Sequence, residues 1–104
     1  MIITTMETIP GREIIETLGI VVGSTVRARW FGRDIAAAFK QIVGGEIGSY
    51  TSMMEKARKD ALARMEEEAV RLGADAVVGV RFATTQVMTG AAEILTYGTA
   101  VRLK

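Results

Sequence analysis

The fold is decided by residues 52–82, which read SMMEKARKDALARMEEEAVRLGADAVVGVRF. Ser52 and Glu55 have the S-x-x-E spacing of a capping box, which predicts a helix that is running by Met53. Apolar residues then recur at intervals of three or four, and polar residues occupy the other faces. The apolar positions, which predict one buried stripe, are Met54, Ala57, Ala61, Met65, Ala69 and Leu72.

A glycine ends this helix and an apolar strand follows almost at once. Gly73 comes directly after the last apolar position, where a residue with positive φ closes the carbonyl end of a helix. Residues 76–80, AVVGV, form a β-branched run that is typical of a buried strand. The stretch therefore predicts a helix, a tight turn and a strand in direct succession.

The N-terminal part of the chain predicts strands. Residues 2–5 are short and β-prone, and Ile9-Pro10-Gly11 indicates a turn. Residues 13–29 are rich in Ile, Val and Thr, with Gly19 and Gly23 as interruptions, which predicts one long bent strand or two strands joined by a bulge. Both faces of this strand carry apolar residues, so we expect both faces of the sheet to be covered.

The remaining elements complete an α+β fold. Asp34 can cap a short helix that ends at Gly44-Gly45 and forms a helix hairpin with the long helix. Residues 88–91 indicate a hairpin turn, and residues 93–103 form the last strand. The order β, β, α, α, β, β predicts one domain over residues 1–104, an antiparallel sheet with the helix hairpin on one face. Its other face carries apolar side chains that this chain cannot cover.

Composition argues against several classes of function. Thirteen basic and twelve acidic residues give a net charge of +1, which favours neither nucleic acid nor a membrane surface as a partner. No signal peptide or membrane span is indicated, so we expect a cytoplasmic protein. The 104 residues include no cysteine and no histidine. We therefore predict no disulfide and no tight zinc, copper or cadmium site, and no metal ligands are assigned.

No catalytic residues are indicated either. Acid–base and nucleophilic catalysis near neutral pH most often use histidine, or a serine or cysteine beside a base. The run Glu66-Glu67-Glu68 could suggest a metal site, but successive helical side chains diverge by about 100 degrees and cannot converge on one ion. We interpret it as a solvated helix face.

One segment suggests a ligand. Arg27, Arg29 and Arg33 flank the only tryptophan, Trp30, and a helix N-terminus at Asp34 would add N–H donors for an anion. Such a group could hold a phosphate and stack a ring. Together with the helix connector, the candidate ligand-binding residues are Arg27, Arg29, Trp30, Arg33, Gly44, Gly45 and Tyr50. The alternative is that Trp30 packs at a protein interface and the arginines pair with acidic residues such as Glu46, Asp75 or Glu93.

Several segments together resemble the YbjQ-like family of small uncharacterised proteins. They are residues 32–35 (GRDI), 42–47 (IVGGEI) with Tyr50-Thr51, 72–82 (LGADAVVGVRF) and 97–101 (YGTAV). The resemblance covers essentially the whole chain and implies a subunit similar to the dodecin subunit fold, assembled as a homopentamer. The family is often labelled a heavy-metal-binding domain, and no catalytic residues are carried over from it.

Three hypotheses of function follow. The first is a non-enzymatic, oligomeric binding or scaffold protein. The second is a carrier of an anionic, ring-bearing small molecule, or an enzyme, with its sites at subunit interfaces. The third is the metal-binding protein of the family label, which the lack of cysteine and histidine disfavours. The sequence identifies no cofactor.

Overall fold

The computed structural model describes residues 1–28, 47–88 and 91–104; for residues 27–28, 47–51, 87–88 and 91 it describes the backbone alone. The described elements are strand β1 (Ile2–Ile3), strand β2 (Ile14–Ala28), helix α1 (Ile47–Arg71), strand β3 (Ala76–Met88) and strand β4 (Ala91–Leu103). The short helix predicted after Asp34, and with it the helix hairpin, lies in residues 29–46, outside this description. Of the hairpin turn predicted at residues 88–91, the structure describes only the backbone of Met88 and Ala91.

The four strands form one sheet in the order β1-β3-β4-β2, and the α+β class is confirmed. β4 pairs antiparallel with β3, as the predicted hairpin requires, and it also pairs antiparallel with β2, but β1 pairs parallel with β3. The sheet is therefore mixed rather than purely antiparallel. The reason is that the chain leaves β1 through the Pro10 turn and continues at the opposite edge of the sheet, so β1 joins a strand with which it shares no hairpin.

Helix α1 begins earlier than the capping-box spacing predicted. Ser52 lies within the helix, which starts at Ile47, so the predicted start was wrong. The S-x-x-E spacing also occurs inside helices, where residues i and i+3 are neighbours on one face. The predicted end is confirmed: Gly73 has φ 78°, and its N–H donates to the Val70 carbonyl while that of Ala74 donates to Ala69. These two bonds are a Schellman motif.

The buried stripe of α1 is confirmed with one exception. Four of the predicted residues are fully buried and Met54 is half-buried. Leu72 is 45% exposed, because it lies at the point where the helix gives way to the Gly73 turn. The fully buried residues are Ala57, Ala61, Met65 and Ala69. Three of these four are alanines, so the helix can approach the sheet closely.

The long bent strand and the first turn are also confirmed. β2 has irregular register between Ile14 and Glu16 and again between Thr17 and Gly19, where Gly19 has φ 123°. Such bulges bend a strand and let it continue. Ahead of it, the Arg12 N–H donates to the Ile9 carbonyl at 3.1 Å, with Pro10 and Gly11 at the centre of a type II turn.

The core of the described residues lies on both faces of the sheet. The larger part lies under α1, where Met65 and Ala69 contact Val21, Val77 and Ala100. The smaller part lies on the opposite face at one end of the sheet, where Ile9 and Ile14 pack against Ala76, Val78, Val101 and Leu103. The N-terminal turn therefore covers one end of the face that α1 leaves open.

Candidate functional site

The sequence-predicted ligand site falls almost entirely outside the described residues. Arg29, Trp30, Arg33, Gly44 and Gly45 lie in residues 29–46, of which the structure describes nothing. The backbone of Arg27 belongs to β2, paired with Ala92, and that of Tyr50 belongs to α1, but neither side chain is described. The geometry of this group therefore stays a prediction.

The described residues contain a different candidate, the uncovered part of the sheet face opposite α1. We call it the open face and define it by Ile20, Val22 and Val26 of β2 and Tyr97 of β4. These side chains are 72%, 41%, 55% and 39% exposed, respectively. Val22 lies directly opposite Tyr97 in the β2–β4 register, so the two side chains are neighbours on one face. Four large apolar side chains thus lie on a surface that nothing in the described part of the chain covers.

The sequence of β2 produces this face by strict alternation after the Gly19 bulge. Val21, Gly23 and Thr25 are buried beneath α1, and the hydroxyl of Thr25 donates to the Ala57 carbonyl at 3.1 Å. The intervening residues must then point to the other side of the sheet. The sequence pattern had indicated apolar residues on both strand faces, but identifying the neighbours across β4 required the register.

The outer edge of β2 is closed by two side chains of α1. The Val22 N–H donates to the Glu68 carboxylate at 3.3 Å, and the Arg64 guanidinium donates to the Ser24 carbonyl at 2.6 Å. Unpaired backbone groups on an edge strand invite association with another strand. These two contacts occupy two backbone groups in the middle of the β2 edge and hinder strand pairing there.

Among the residues that the structure describes, two shallow, open grooves lie along α1. The first is lined by Glu55, Arg58, Lys59, Leu62 and Phe82, and the second by Ala63, Glu66, Glu67, Val70 and Arg71. Enzyme and cofactor sites are usually concave and bury most of a ligand, which neither of these grooves would do.

The residues present do not fit a soft-metal site. The chain lacks the thiolate and imidazole ligands of zinc sites, and no group of three acidic side chains suited to a metal occurs in residues 1–28, 47–88 and 91–104. The consecutive glutamates do diverge. Glu68 accepts from the Val22 N–H, whereas Glu67 lies 3.9 Å from Arg71 in an ion pair on the solvent side.

In the described part of the chain, no helix is long and apolar enough to span a membrane.

The family model described as "Putative heavy-metal-binding", YbjQ, matches residues 1–104, the whole chain. The chain belongs to the YbjQ family. Among its relatives, a UPF0145 protein of Archaeoglobus fulgidus is 62% identical over all of this chain and 96% of its own length. A UPF0145 protein of Thermotoga maritima is 57% identical over all of this chain and 98% of its own. One from Vibrio campbellii is 56% identical over 99% of both chains.

A solved structure extends the comparison to the fold. A protein of unknown function of the DUF74 family from Pediococcus pentosaceus matches with a TM-score of 0.69, covering 100% of this chain and 98% of its own. At 19% identity this likeness concerns the fold alone. The YbjQ chain thus has uncharacterised relatives of nearly the same length, and no specific activity comes with the match.

Proposed function

We propose that this YbjQ protein is a non-enzymatic, oligomeric scaffold or binding protein whose copies associate through the open face, and that the assembly is a homopentamer. The observation that supports this proposal is the exposure of Ile20, Val22, Val26 and Tyr97 on one side of the sheet. The number five comes from the family resemblance. Contiguous apolar patches on a small chain mark sites of association, because burying them removes apolar surface from water.

The position of the open face supports a second copy of the chain as its partner. α1 covers the opposite face, and the Ile9 turn covers only the end of the sheet near Leu103. The β2 edge is closed by Glu68 and Arg64, so edge-to-edge pairing there is hindered. A sheet with one free apolar face associates without rearranging the rest of the subunit.

The experiment compares the mass of the assembly in two matched variants. Light scattering should give a mass of several chains for the natural protein. Val22→Asp should reduce it, because a carboxylate would be buried without a partner in the contact. Leu72→Asp is the control, because Leu72 is similarly exposed but lies at the end of α1. A natural protein that stays monomeric at micromolar concentration, or an unchanged mass for a folded Val22→Asp variant, would contradict the proposal.

A second candidate function is a carrier of an anionic, ring-bearing small molecule, or an enzyme acting on one, at the subunit boundary. It is supported by the sequence of residues 27–34, RARWFGRD, in which three arginines flank Trp30. Arginines bind phosphate or carboxylate groups through charge-assisted hydrogen bonds, and an aromatic side chain can stack a ring.

The fluorescence of Trp30 tests this candidate, since the chain has one tryptophan. Nucleotides, flavins and phosphorylated metabolites should be titrated in turn. At least one should quench the signal in a saturable way, and Arg29→Ala should abolish the response while the oligomer persists. Absence of any response, with loss of the oligomer in Trp30→Ala, would favour the interface interpretation of Trp30.

A further inference from the structure

A carboxylate lies on the open face, that of Glu93 in β4. Glu93 is opposite Val26 in the pairing of β2 with β4 and opposite Thr85 in the pairing of β3 with β4, so the three side chains are neighbours on one face. The next residue, Ile94, is buried against Ala57 of α1. Successive side chains of a strand point to opposite faces, so Glu93 points away from the helix and onto the open face.

The side chains around Glu93 on this face are uncharged. Val26 and Thr85 flank it directly. The uncharged residues of the next row of the sheet are Ser24, Leu95 and Ala83. Within the residues that the structure describes, Glu93 forms no ion pair. It is half-buried, so water still reaches the carboxylate in the free subunit.

The nearest charged side chain on this face, among those that the structure describes, is Arg81 of β3. Arg81 is opposite Tyr97, four residues along β4 from Glu93, which is about 13 Å at the rise of a β-strand. Its guanidinium donates to the carbonyls of Thr5 and Val80, both at 2.9 Å. Because α1 packs against the other face of the sheet, none of its charges faces Glu93. The described part of one copy therefore places no cation beside this carboxylate.

The position of Glu93 costs little free energy in a free subunit and more when the open face is covered. A charged carboxylate removed from water without a cation or hydrogen-bond donors is unfavourable, whereas its protonated form is neutral. Burial among apolar side chains accordingly favours the protonated form of a carboxyl group. The residues that define the open face bring no cation that offsets this cost; they are Ile20, Val22, Val26 and Tyr97.

We propose that association through the open face is strengthened by acid, because Glu93 takes up a proton as a second copy covers it. This regulation rests on the proposed function, in which the open face is the contact between copies. The assembled state then binds more protons than the free subunits, so a falling pH shifts the equilibrium towards assembly. Each proton taken up strengthens the contact by at most about tenfold per pH unit. The charge of Glu93 thereby limits the contact at neutral pH, and acid removes that limit.

Sedimentation over a dilution series, at a pH of about 7 and of about 5, measures the effect. The concentration at which half of the assembly dissociates should be about tenfold lower in the acidic buffer. Ile20→Ala truncates a residue of the contact, so it brings an assembly that is too tight for dilution into the measurable range and should show the same shift. Circular dichroism in both buffers checks that the subunit stays folded.

Glu93→Gln removes the charge and keeps the shape of the side chain. In neutral buffer this variant should associate about tenfold more tightly than the natural protein, and its remaining change between the two buffers should be below about twofold. Glu55→Gln is the matched control, because Glu55 is exposed on α1, which covers the other face of the sheet. It should keep the pH dependence of the natural protein.

An association that is equally strong in both buffers, or that Glu93→Gln leaves unchanged, overturns the proposal. So does an assembly that is weakened both by acid and by Glu93→Gln, because the carboxylate then pairs with a cation of the neighbouring copy. These results leave the contact through the open face standing. A protein that stays monomeric in both buffers, also as Glu93→Gln, contradicts the contact itself and with it the proposed function.

Discussion

Gly23 in the middle of β2 lies directly against the backbone carbonyl of Ala61 in α1. A β-carbon built on Gly23 would overlap the Ala61 oxygen and lie 2.5 Å from the Met65 nitrogen. Helix and strand therefore meet backbone to backbone at this point. The missing side chain of Gly23 leaves room for this approach.

We expect Gly23→Ala to lower the free energy of unfolding by about 3 kcal/mol, because the added methyl group meets rigid backbone rather than a movable side chain. Chemical denaturation monitored by circular dichroism measures the change. Ser24→Ala is the matched control in the next position of the strand, where we expect a change within about 0.5 kcal/mol. A Gly23→Ala variant as stable as the natural protein would show that α1 and β2 can separate at little cost.

Gly73→Ala should destabilise for a different reason. Gly73 has φ 78° and open space around the position of a β-carbon, so the cost is conformational rather than a clash. We expect a loss of about 1 kcal/mol, and a smaller loss for Gly73→Asn, because asparagine tolerates this backbone conformation better than alanine. Thermal unfolding of the three proteins should rank them in that order. Equal losses for both variants would indicate contacts of the new side chains instead.

Met65→Ala should be among the costliest truncations in α1. Met65 is fully buried, and its sulfur accepts a hydrogen bond from the Thr96 hydroxyl at 3.8 Å. Removing the side chain leaves a cavity, so we expect a loss of about 3 kcal/mol in denaturant unfolding. Arg71→Ala, in the same helix but exposed, should cost about 0.5 kcal/mol at most. A small loss for Met65→Ala would mean that the core beneath α1 collapses to fill the space.

Glu68→Ala should increase the hydrogen-exchange rate of one backbone amide, that of Val22, at the edge of the sheet. The Val22 N–H donates to the Glu68 carboxylate, so its hydrogen exchange should accelerate when that acceptor is removed. Exchange measured by NMR or mass spectrometry should show the change at Val22. Glu67→Ala is the control, because Glu67 pairs with Arg71 on the solvent side and should leave Val22 protected.

For metals, we expect tag-free protein to hold less than one tightly bound zinc, copper or cadmium ion per subunit. The reason is the absence of cysteine and histidine from the chain. Elemental analysis after exhaustive dialysis is the measurement, with a polyhistidine-tagged preparation alongside it to show what added imidazoles contribute. One soft ion per subunit in tag-free protein would contradict the prediction.

The sequence predicted local features well where a single residue type decides the conformation. Pro10-Gly11 predicted the turn, Gly73 the end of α1, and Gly19 the bulge in β2, since each rests on backbone angles that few residues adopt. The start of α1 was missed because the Ser52–Glu55 spacing suits a helix interior as well as its first turn.

Long-range relationships were harder to predict. The parallel pairing of β1 with β3 has no local signal, because it depends on where the chain goes after the Pro10 turn. The open face was expected as a property of the sheet, but its composition depends on the register that places Val22 beside Tyr97. The predicted ligand site around Trp30 stays a prediction, because the structure does not describe residues 29–46.

The pairing of β2 with β4 also determines when this protein can fold during its synthesis. Among the described strands β2 has one neighbour, β4, and the register joins Ile14 to Leu103, which is 89 residues later in the sequence. At about 5 to 20 residues per second, β2 emerges from the ribosome seconds before its partner strand exists. The apolar residues of β2 must stay unpaired for that time, so we expect this part of the sheet to form only after β4 has been synthesised.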